Sequence, residues 1–582
     1  MILRSAFSQL YLLATGCLTG YLAGCLAGCL LMTSAVRAQT SLPKPSTDRD
    51  RFNQPLPTPQ PLPSVQPTLP PPTPSPAPST PAPAITIPVR KIVIQGSTIF
   101  ADRDWDALVK TVEGRSVTFE ELRSLVDQMT QKYLDRGYIT SRAVLEEQTI
   151  ADGIVKVRVI EGSLEKVDIR GLENVKPAYV EGRIRLGATA PLNKDALEDQ
   201  LRLLKLDPLF TNVEASLKPG TGLGQSILSV LVKEEPAFHG FVGADNLSPP
   251  SVGADRIGAV LSYRNPTGWG DELTASYYRS TQGGSNAFDF GYRLPLNPMN
   301  GTLQLRIAPS RSKIIDPDFS AFGIRSNNAL YEISYRQPLS RSPRQEFALS
   351  LGFAFQDGQT FLFDNQPFPF GIGAEADGTT KTRVLKFGQD FVKREPFGAW
   401  AFRSQFSLGL NIFDATTNSG AVPDGQFFSW LGQIQRVQQI GPSNLLIAQL
   451  DLQLTPDTLL PSQQFVIGGG QSLRGYRQNA RSGDNGVRFS LEDRIVVKRD
   501  AAGSPMIQLV PFFDMGAVWS RSDNPNKLTG ETFLASIGLG LIWEPIPRMI
   551  VRADYARPLV QWSGKGNNAQ DEGVHFSVGY SF

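Results

Sequence analysis

The stretch Val574-His-Phe-Ser-Val-Gly-Tyr-Ser-Phe582 decides the fold of this 582-residue chain. Its apolar residues, which include Phe576, Tyr580 and Phe582, alternate with small or polar ones. Because successive side chains of a strand point to opposite faces, this strand has one apolar face and one small, polar face. The last strand of a membrane β-barrel alternates in this way, and we interpret the three aromatic residues as its assembly signal. A strand of a soluble sandwich alternates similarly, so the rest of the chain has to distinguish the two.

The overall composition argues against two classes of protein. A net charge of +2 and the lack of a basic run argue against a nucleic-acid-binding protein. Mean hydropathy is −0.16, and no apolar run long enough for a membrane helix follows residue 32, which excludes a polytopic helical membrane protein. A membrane barrel is compatible with this hydropathy, because half of each strand faces a polar lumen.

Residues 1–38 have the features of a signal peptide. An apolar run ends near Met32, and small residues at Val36 and Ala38 suit cleavage after Ala38. All three cysteines lie in this segment: Cys17, Cys25 and Cys29. The predicted mature chain therefore has no cysteine, which removes disulfides and cysteine metal sites from consideration. The sequences Leu22-Ala-Gly-Cys25 and Leu26-Ala-Gly-Cys29 also suit lipoprotein processing, so lipidation stays open as an alternative.

Residues 39–88 are rich in proline, and we predict a disordered, extended linker there. Such a segment has too few apolar side chains to bury a core, so a tether without chemistry is the favoured interpretation. Binding of a partner to its proline motifs is the weaker alternative.

Residues 89–162 have the pattern of a small α+β module. Val89-Arg-Lys-Ile-Val-Ile-Gln-Gly96 is a predicted strand that ends at a glycine. Thr118 and Glu121 form a capping box at the start of a helix, which Gly137 ends. Two further strands are predicted at residues 142–145 and 154–160.

Residues 163–236 repeat this design. Leu164-Glu-Lys-Val-Asp-Ile-Arg-Gly171 matches the first strand of the preceding module, and Asn193 caps a helix. Strands at residues 213–217 and 226–232 complete the second module. The two modules are therefore a tandem repeat of a strand–helix–helix–strand–strand unit.

Residues 237–582 lack helical periodicity and contain about 16 alternating segments of roughly 10 to 14 residues, the length of a tilted membrane strand. In residues 507–519 the odd positions suit lipid, so Asp514 is predicted to face the lumen. The longest connection, at residues 455–485, contains Arg474. The predicted fold is a 16-stranded transmembrane antiparallel β-barrel preceded by two α+β modules.

Several short motifs occur in a characteristic order. They are Tyr133-Leu-Asp-Arg-Gly-Tyr-Ile-Thr-Ser-Arg142, Asp152-Gly153 with Glu161-Gly162, Asp207-Pro-Leu-Phe210, Gly243-Ala-Asp-Asn246, Leu473-Arg-Gly-Tyr476 and Phe512-Phe-Asp-Met-Gly516. With these motifs, residues 89–582 resemble the outer-membrane transporters of two-partner secretion, the haemolysin secretion/activation protein family. The resemblance implies that both modules are periplasmic polypeptide-transport-associated (POTRA) modules and that the barrel lies in the outer membrane.

The resemblance also implies a site inside the barrel. In the family the Arg-Gly-Tyr motif lies on a long loop that folds back into the lumen, and its arginine pairs with the aspartate of a strand motif. The matching residues are Leu473, Arg474, Gly475 and Tyr476 in the loop and Phe512, Asp514 and Gly516 in the strand. A nucleotide-binding interpretation of Gly468-Gly-Gly470 fails, because the Gly-Lys-Ser/Thr ending and the following helix are missing.

The function implied by the resemblance is export of a secreted partner exoprotein, which carries an N-terminal secretion domain. The POTRA modules would bind the unfolded chain in the periplasm, and the barrel would pass it through its lumen without ATP. Outer-membrane lipid and the barrel assembly machinery are the other expected partners. The chain departs from many family members in one respect, because residues 39–88 contain no amphipathic helix long enough to plug the pore.

Two alternatives belong to other classes. A barrel-assembly factor of the same superfamily would insert other barrels, although two POTRA modules favour secretion over assembly. An enzyme is disfavoured, because the chain has only His239 and His575 and shows no catalytic or metal-binding spacing. We therefore expect no catalytic residues, no metal and no cofactor.

Overall fold

The computed structural model describes residues 59–61, 86–150 and 152–582. The predicted signal peptide, the lipoprotein alternative and most of the proline-rich linker lie outside the described residues. No helix within those residues combines the length and apolarity needed to cross a membrane.

The first module is built on two small sheets. Its elements are β1 (Thr86–Val89), β2 (Lys91–Gln95), α1 (Asp106–Val109), β3 (Arg115–Thr118), α2 (Phe119–Asp135), β4 (Arg142–Leu145) and β5 (Ile154–Ile160). Strand β5 lies between β2, to which it is parallel, and β4, to which it is antiparallel. The predicted strand at residues 89–96 is present as β2, which Gly96 follows, but the chain turns at Arg90 and Val89 belongs to β1, which pairs with β3. The backbone N–H groups of Arg90 and Lys91 both donate to the Gly153 carbonyl, at 2.7 and 3.2 Å, which fixes this turn.

Helix α2 follows its predicted cap and core face. The Thr118 hydroxyl accepts the Glu121 N–H, and the Glu121 carboxylate accepts the Thr118 N–H, which confirms the capping box. Gly137 ends the helix with φ of +83°, a conformation that favours glycine. The buried face consists of Leu122, Leu125, Val126, Met129 and Tyr133.

The second module has the same plan with a single sheet. Its elements are β6 (Ser163–Arg170), α3 (Pro177–Arg185), α4 (Lys194–Lys205), β7 (Phe210–Pro219) and β8 (Gln225–Glu234). Strand β8 lies between β6, to which it is parallel, and β7, to which it is antiparallel. The Asn193 side chain accepts from the N–H groups of Asp195 and Ala196, as the predicted cap of α4 requires.

The two modules share a detail that explains their matching sequences. In each, the first parallel strand ends at a glycine with positive φ, Gly96 at +85° and Gly171 at +84°. A Cβ atom at these positions would lie 2.5 Å from the Val159 carbonyl oxygen and 2.1 Å from that of Val232. The glycine therefore allows close approach of the neighbouring strand, a requirement that both modules meet with the same residue.

The remaining residues form a closed antiparallel barrel of 16 strands, as predicted. Its strands are β9 (Phe238–Asp245), β10 (Arg256–Arg264), β11 (Glu272–Ser280), β12 (Ser285–Pro295), β13 (Thr302–Lys313), β14 (Arg325–Arg341), β15 (Gln345–Leu362), β17 (Thr379–Glu395), β18 (Gly398–Gly409), β19 (Phe427–Ile440), β20 (Asn444–Leu454), β23 (Asn485–Arg499), β24 (Pro505–Trp519), β25 (Phe533–Trp543), β26 (Met549–Pro558) and β27 (Val574–Ser581). Three short strands lie in the connections: β16 (Gln366–Pro367), β21 (Phe465–Ile467) and β22 (Arg481–Gly483).

The facing of side chains agrees with a barrel in lipid. On β24 the outward residues Leu509 and Trp519 are exposed, whereas Asp514 on the inner face is fully buried. Strands β14, β15 and β17 have 17 to 18 residues and exceed the predicted length, so they extend past the lipid-facing band at the ends away from the periplasmic modules. The barrel closes where β27 pairs with β9, and we call this pairing the seam.

The second module contacts the periplasmic turn between β10 and β11. The Lys176 N–H donates to the Gly268 carbonyl at 2.9 Å, and the Lys176 ammonium lies 4.7 Å from the centre of the Trp269 ring. A Cβ atom at Gly270 would lie 2.4 Å from the Tyr179 ring, so a glycine is needed for this contact. The Asp207 carboxylate of the Asp-Pro-Leu-Phe motif accepts the Tyr179 hydroxyl at 2.7 Å, which holds the ring against the turn.

Candidate functional site

The connection between β20 and β23, residues 455–484, folds back into the barrel, and we call it the lumen loop. Its residues contact the inner faces of β23, β24, β25 and β27. Gly468, Gly469 and Gly475 have φ values of +110°, +101° and +90°, which L side chains rarely adopt. The glycines therefore allow the sharp reversals that bring Arg474 to the wall.

Arg474 and Asp514 form a bidentate ion pair inside the barrel. The Arg474 Nε lies 2.7 Å from Asp514 Oδ2, and Nη2 lies 2.8 Å from Oδ1. The backbone N–H of Arg474 also donates to Oδ2, at 3.1 Å. Both side chains are nearly inaccessible to solvent, so the pair is desolvated and depends on this geometry. The structure thus brings together the two residues on which the sequence analysis centred.

Arg474 has further partners that the sequence analysis missed. Its Nη1 donates to Glu492 on β23 at 3.0 Å, and its guanidinium lies 3.5 Å from the centre of the Phe512 ring. Ser490 donates to Asp514 Oδ1 at 2.6 Å. The register of β23 with β24 explains why these two residues reach the ion pair, because Ser490 is opposite Asp514 and Glu492 is opposite Phe512. A search for inward polar residues on the strand preceding the Phe-x-Asp-x-Gly motif would have found both.

The ion pair belongs to a larger charged network. Glu492 also pairs with Arg494 at 2.7 Å and with Arg552 at 3.2 Å, and Arg552 pairs with Asp554 at 2.8 Å. The network therefore contains three arginines and three carboxylates, counting Arg474 and Asp514. Removing one member leaves a buried charge without its partner, which typically costs about 3–5 kcal/mol.

The other residues of the loop motif hold the loop in place. The Tyr476 hydroxyl lies 2.8 Å from the carbonyl oxygens of both Ala535 and Val560. The Gly475 N–H donates to His575 Nε2 at 3.1 Å, and Leu473 is fully buried. On the facing wall, a Cβ atom at Gly516 would lie 3.3 Å from the Leu473 side chain. Gly516 thus leaves the space that the lumen loop occupies.

The lumen loop is also linked to the seam. The Gln570 side chain accepts the Gln478 N–H of the loop at 2.8 Å and donates to the carbonyl oxygens of Asn246 and Ser248. Asn246 follows β9 directly, and its side chain binds the backbone of β27 at Val574 and Phe576. One glutamine therefore connects the loop to both sides of the barrel closure.

Aromatic rings cover the glycines of the seam. A Cβ atom at Gly243 or Gly579 would lie 2.9 or 2.2 Å from the Phe241 ring, and one at Gly240 would lie 2.1 Å from the Phe582 ring. Phe576, Tyr580 and Phe582, the predicted assembly signal, all point outward and are exposed. Phe582 therefore has both a lipid-facing surface and a packing role at the barrel closure.

The wall from β12 to β23 carries inward charges that are paired with one another. Its cations lie 2.5 to 2.9 Å from carboxylates, in the pairs Arg306–Asp289, Arg336–Glu346, Lys386–Glu332, Arg403–Asp390 and Arg488–Asp451. The inner face of these strands is thus lined by charged groups that already have partners, and β23 belongs both to this wall and to the Arg474 network.

Comparison with known protein families gives two matches. The family described as "Haemolysin secretion/activation protein ShlB/FhaC/HecB" matches residues 224–542, and the domain described as "POTRA domain, ShlB-type" matches residues 87–162.

Curated relatives cover most of the chain. The outer membrane transporter CdiB of Escherichia coli is 26% identical over 473 residues, which are 78% of this chain and 76% of the relative. The heme/hemopexin transporter protein HuxB of Haemophilus influenzae strain 86-028NP is 21% identical over 78% of this chain and 80% of the relative. The hemolysin transporter protein HpmB of Proteus mirabilis is 24% identical over 36% of each chain.

Solved structures have the same fold. CdiB from Escherichia coli has a TM-score of 0.67 at 23% identity and covers 88% of this chain and 94% of its own. BamA from Haemophilus ducreyi lacking POTRA domains 1-3 has a TM-score of 0.51 at 18% identity and covers 86% of this chain and 100% of its own. At these identities the likeness concerns the fold alone.

Proposed function

The chain belongs to the haemolysin secretion/activation protein family, an outer-membrane β-barrel with POTRA modules in the periplasm, and we propose that it exports a secreted partner exoprotein. The observation that carries this proposal is the lumen loop, held in the barrel by Arg474 and Asp514 at 2.7 Å. A loop fixed by reversible polar contacts is suited to a pore that opens for a substrate. The relatives named as transporters support export by the whole chain.

Capture of the substrate begins at the POTRA modules. In the second module, strand β7 is an edge strand of ten residues, and most of its residues are partly or fully exposed. An extended segment of the exoprotein can add to such an edge as a further strand, with main-chain hydrogen bonds providing affinity. In the first module β4 offers a shorter edge of four residues. We infer that β7 is the main docking edge.

Passage through the lumen requires movement of the lumen loop. The Arg474–Asp514 pair would separate, and water or polar groups of the passing chain would take over the freed hydrogen-bonding groups. The opposite wall would offer the chain a polar surface whose charges already have partners, such as Arg403 with Asp390. Such a wall holds an unfolded segment weakly, which suits transport.

Net transport of the exoprotein out of the cell needs an energy source. We propose that folding of the exoprotein outside the cell prevents its return, so that no ATP is needed. We also propose that the barrel assembly machinery inserts this barrel into the membrane. It would recognise Phe582, the aromatic residue that follows β27. Assembly of other barrels is the alternative function, and the relatives named as transporters favour export.

The test compares export and conductance in the same variants. Arg474→Ala in the full-length transporter should still insert and conduct ions, while secretion of a cognate exoprotein into the medium falls sharply. Arg499→Ala is the matched control, because Arg499 is exposed at the turn between β23 and β24 and donates to the carbonyl oxygens of Gly503 and Pro442, away from the lumen loop. Normal export by Arg474→Ala would overturn the role of the loop. Loss of other outer-membrane barrels on depletion, with no exoprotein exported, would favour the assembly alternative.

A further inference from the structure

A row of polar and cationic side chains crosses the outer face of the barrel where its apolar band ends. Strand register places Arg279, Asn286, Arg311, Asn327 and Gln359 side by side, on β11 to β15. Each shares its parity with exposed apolar residues of the same strand, such as Tyr277 with Arg279 and Ile307 with Arg311. The row therefore lies on the lipid side of the wall and not in the lumen.

The residues just below the row form an apolar surface. Tyr277 and Phe288 lie one outward position below the row, Ile307 and Tyr331 lie two positions below it, and all four are exposed. The rings of Tyr277 and Phe288 stack with their centres 4.5 Å apart, and the Tyr277 hydroxyl is hydrogen bonded to Asn286 at 2.9 Å. Aromatic residues with polar tips are typical of the membrane–water interface. The row thus marks the outer boundary of the membrane, because the opposite ends of these strands adjoin the periplasmic turns.

Cations dominate this boundary on one side of the barrel. Arg279 and Arg311 are exposed, and neither has an ion-pair partner among the described residues. One step farther out, Lys313 and Arg325 are directly opposite each other and share Asp364, at 3.1 and 2.9 Å.

Carboxylates balance most of the other cations around this cluster. Lys381 is opposite Asp357 in the strand register, and Asp357 forms an ion pair with Arg383 at 2.6 Å. Asp255 is exposed in the connection between β9 and β10, next to the end of β11. Further carboxylates lie in the adjoining connections, at Asp316, Asp318 and Asp377, so the region as a whole has no excess of cations. Arg279 and Arg311 are the members whose charge is not matched locally.

The other side of the barrel lacks such a cluster. On β18 to β25 the outward residues at the same end are apolar, and they include Leu408, Phe428, Leu454, Trp519 and Phe533. Within the described strands from β18 to β27, Arg557 on β26 is the isolated outward cation at this level. The asymmetry shows that a cationic boundary is not a general property of this barrel.

We propose that Arg279, Arg311 and Lys313 bind the phosphate groups of a phosphorylated glycolipid of the outer leaflet. Guanidinium groups bind phosphate oxygens through two parallel hydrogen bonds, and clustered cations at a membrane surface attract anionic headgroups. The acyl chains of the same lipid would lie on Tyr277, Phe288 and Ile307, within two outward positions below the row. Adjacent strands lie about 4.8 Å apart, so Arg279 and Arg311, two strands apart, are about 10 Å from each other and span one headgroup. The inference concerns the lipid side of the barrel and does not rest on export.

The test measures lipid binding by the purified full-length transporter in detergent, by native mass spectrometry. The probe is a bisphosphorylated lipid A, compared with the same lipid after removal of its phosphates, with phosphatidylglycerol and with inorganic phosphate. The triple variant Arg279→Gln/Arg311→Gln/Lys313→Gln should lose affinity on the order of 100-fold. Arg557→Gln should bind as the wild type does.

Separate controls test whether the variants are folded and whether positive charge alone restores binding. Heat-dependent mobility in electrophoresis verifies that each barrel is folded, and Arg279→Lys/Arg311→Lys should retain most of the binding that the glutamine variants lose. Equal binding by the triple variant and the wild type, or of lipid A with and without phosphates, would overturn the proposal. Equal binding of phosphatidylglycerol, or full competition by millimolar inorganic phosphate, would overturn the assignment to a glycolipid.

Discussion

Asn246 and Phe576 pair across the seam as two strand residues do, but a side chain forms one of their two bonds. The Asn246 N–H donates to the Phe576 carbonyl at 3.2 Å, and the Asn246 Oδ1 accepts the Phe576 N–H at 2.8 Å. The side-chain amide also donates to the Val574 carbonyl at 2.9 Å. The amide therefore continues the ladder beyond Asp245, the last residue of β9, along a seam whose register comprises five residue pairs.

Asn246→Ala should weaken the barrel closure. Asn246 is fully buried, and its removal leaves the Phe576 N–H and the Val574 carbonyl without these partners. Each unsatisfied buried group costs about 1–3 kcal/mol, so we expect unfolding at a temperature lower by several degrees. Heat-dependent mobility in electrophoresis measures this shift. Asn327→Ala, on the lipid-side row, is the control and should unfold at the wild-type temperature.

Gln570→Ala should weaken the link between the lumen loop and the seam while the Arg474 network stays intact. The variant loses the bond to the Gln478 N–H and both bonds to the carbonyl oxygens of Asn246 and Ser248. We expect more frequent current steps in single-channel recordings, because the loop has fewer contacts that hold it closed. Gln359→Ala on the outer face serves for comparison. Recordings with identical step frequencies would show that this link does not restrain the loop.

Arg474→Lys should behave almost like Arg474→Ala. A lysine keeps the charge but lacks the planar fork that reaches both Asp514 oxygens and Glu492 together. We therefore expect loss of most export activity in spite of the retained charge. The matched variant Arg494→Lys changes an arginine that contacts Glu492 alone, at 2.7 Å, and should export nearly normally. Full export by Arg474→Lys would mean that charge suffices.

The first POTRA module should lose stability in acid through Glu161. Burial alone would raise the pKa of this carboxyl, but hydrogen bonds from Thr98, Tyr133 and the Ile99 N–H hold its pKa below the usual value of 4.5. A depressed folded-state pKa stabilises the module above pH 4.5, and this stabilisation is lost as the pH falls through the folded pKa.

Hydrogen exchange in the full-length protein measures this effect. Peptides from β5 should exchange faster below pH 4.5 than at pH 6, after correction for the intrinsic rate. Glu161→Gln should exchange faster at pH 6 and show less change with pH. If the wild type and the variant have the same pH profile, Glu161 does not control the module.

Phe582→Ser should reduce the fraction of folded barrels. Its ring fills the space over Gly240, where a Cβ atom would lie 2.1 Å away, and the terminal residue is bonded to Gly240 through both backbone groups at 2.9 Å. Phe533→Ser removes an aromatic residue of similar exposure from the outer face of β25 and should have a smaller effect. Quantification of heat-modifiable protein in outer-membrane fractions compares the two.

Local sequence patterns were sufficient for some of these features. The capping box of Thr118 and Glu121 involves neighbours in the chain, and alternation alone placed Asp514 in the lumen. The two-residue periodicity of a strand shows which face of the sheet each side chain is on. It does not show which strand lies next to it or in which register. The contact of Asn246 with Phe576 spans 330 residues of sequence, so no local pattern could have predicted it. Glu492 differs from this case, because the alternation of its strand places it on the inner face, but its contact with Arg474 depends on the register of β23 with β24.

The paired charges of the lumen wall have a consequence for ions and for the passing chain. A cation held 2.5 to 2.9 Å from a carboxylate produces a field that falls off within a few ångströms in water. Current through the open pore should therefore show little preference for anions over cations, with a reversal potential near zero in a salt gradient. Acidic and basic segments of an exoprotein would experience similar friction, and so its charge pattern would hardly affect the speed of its passage.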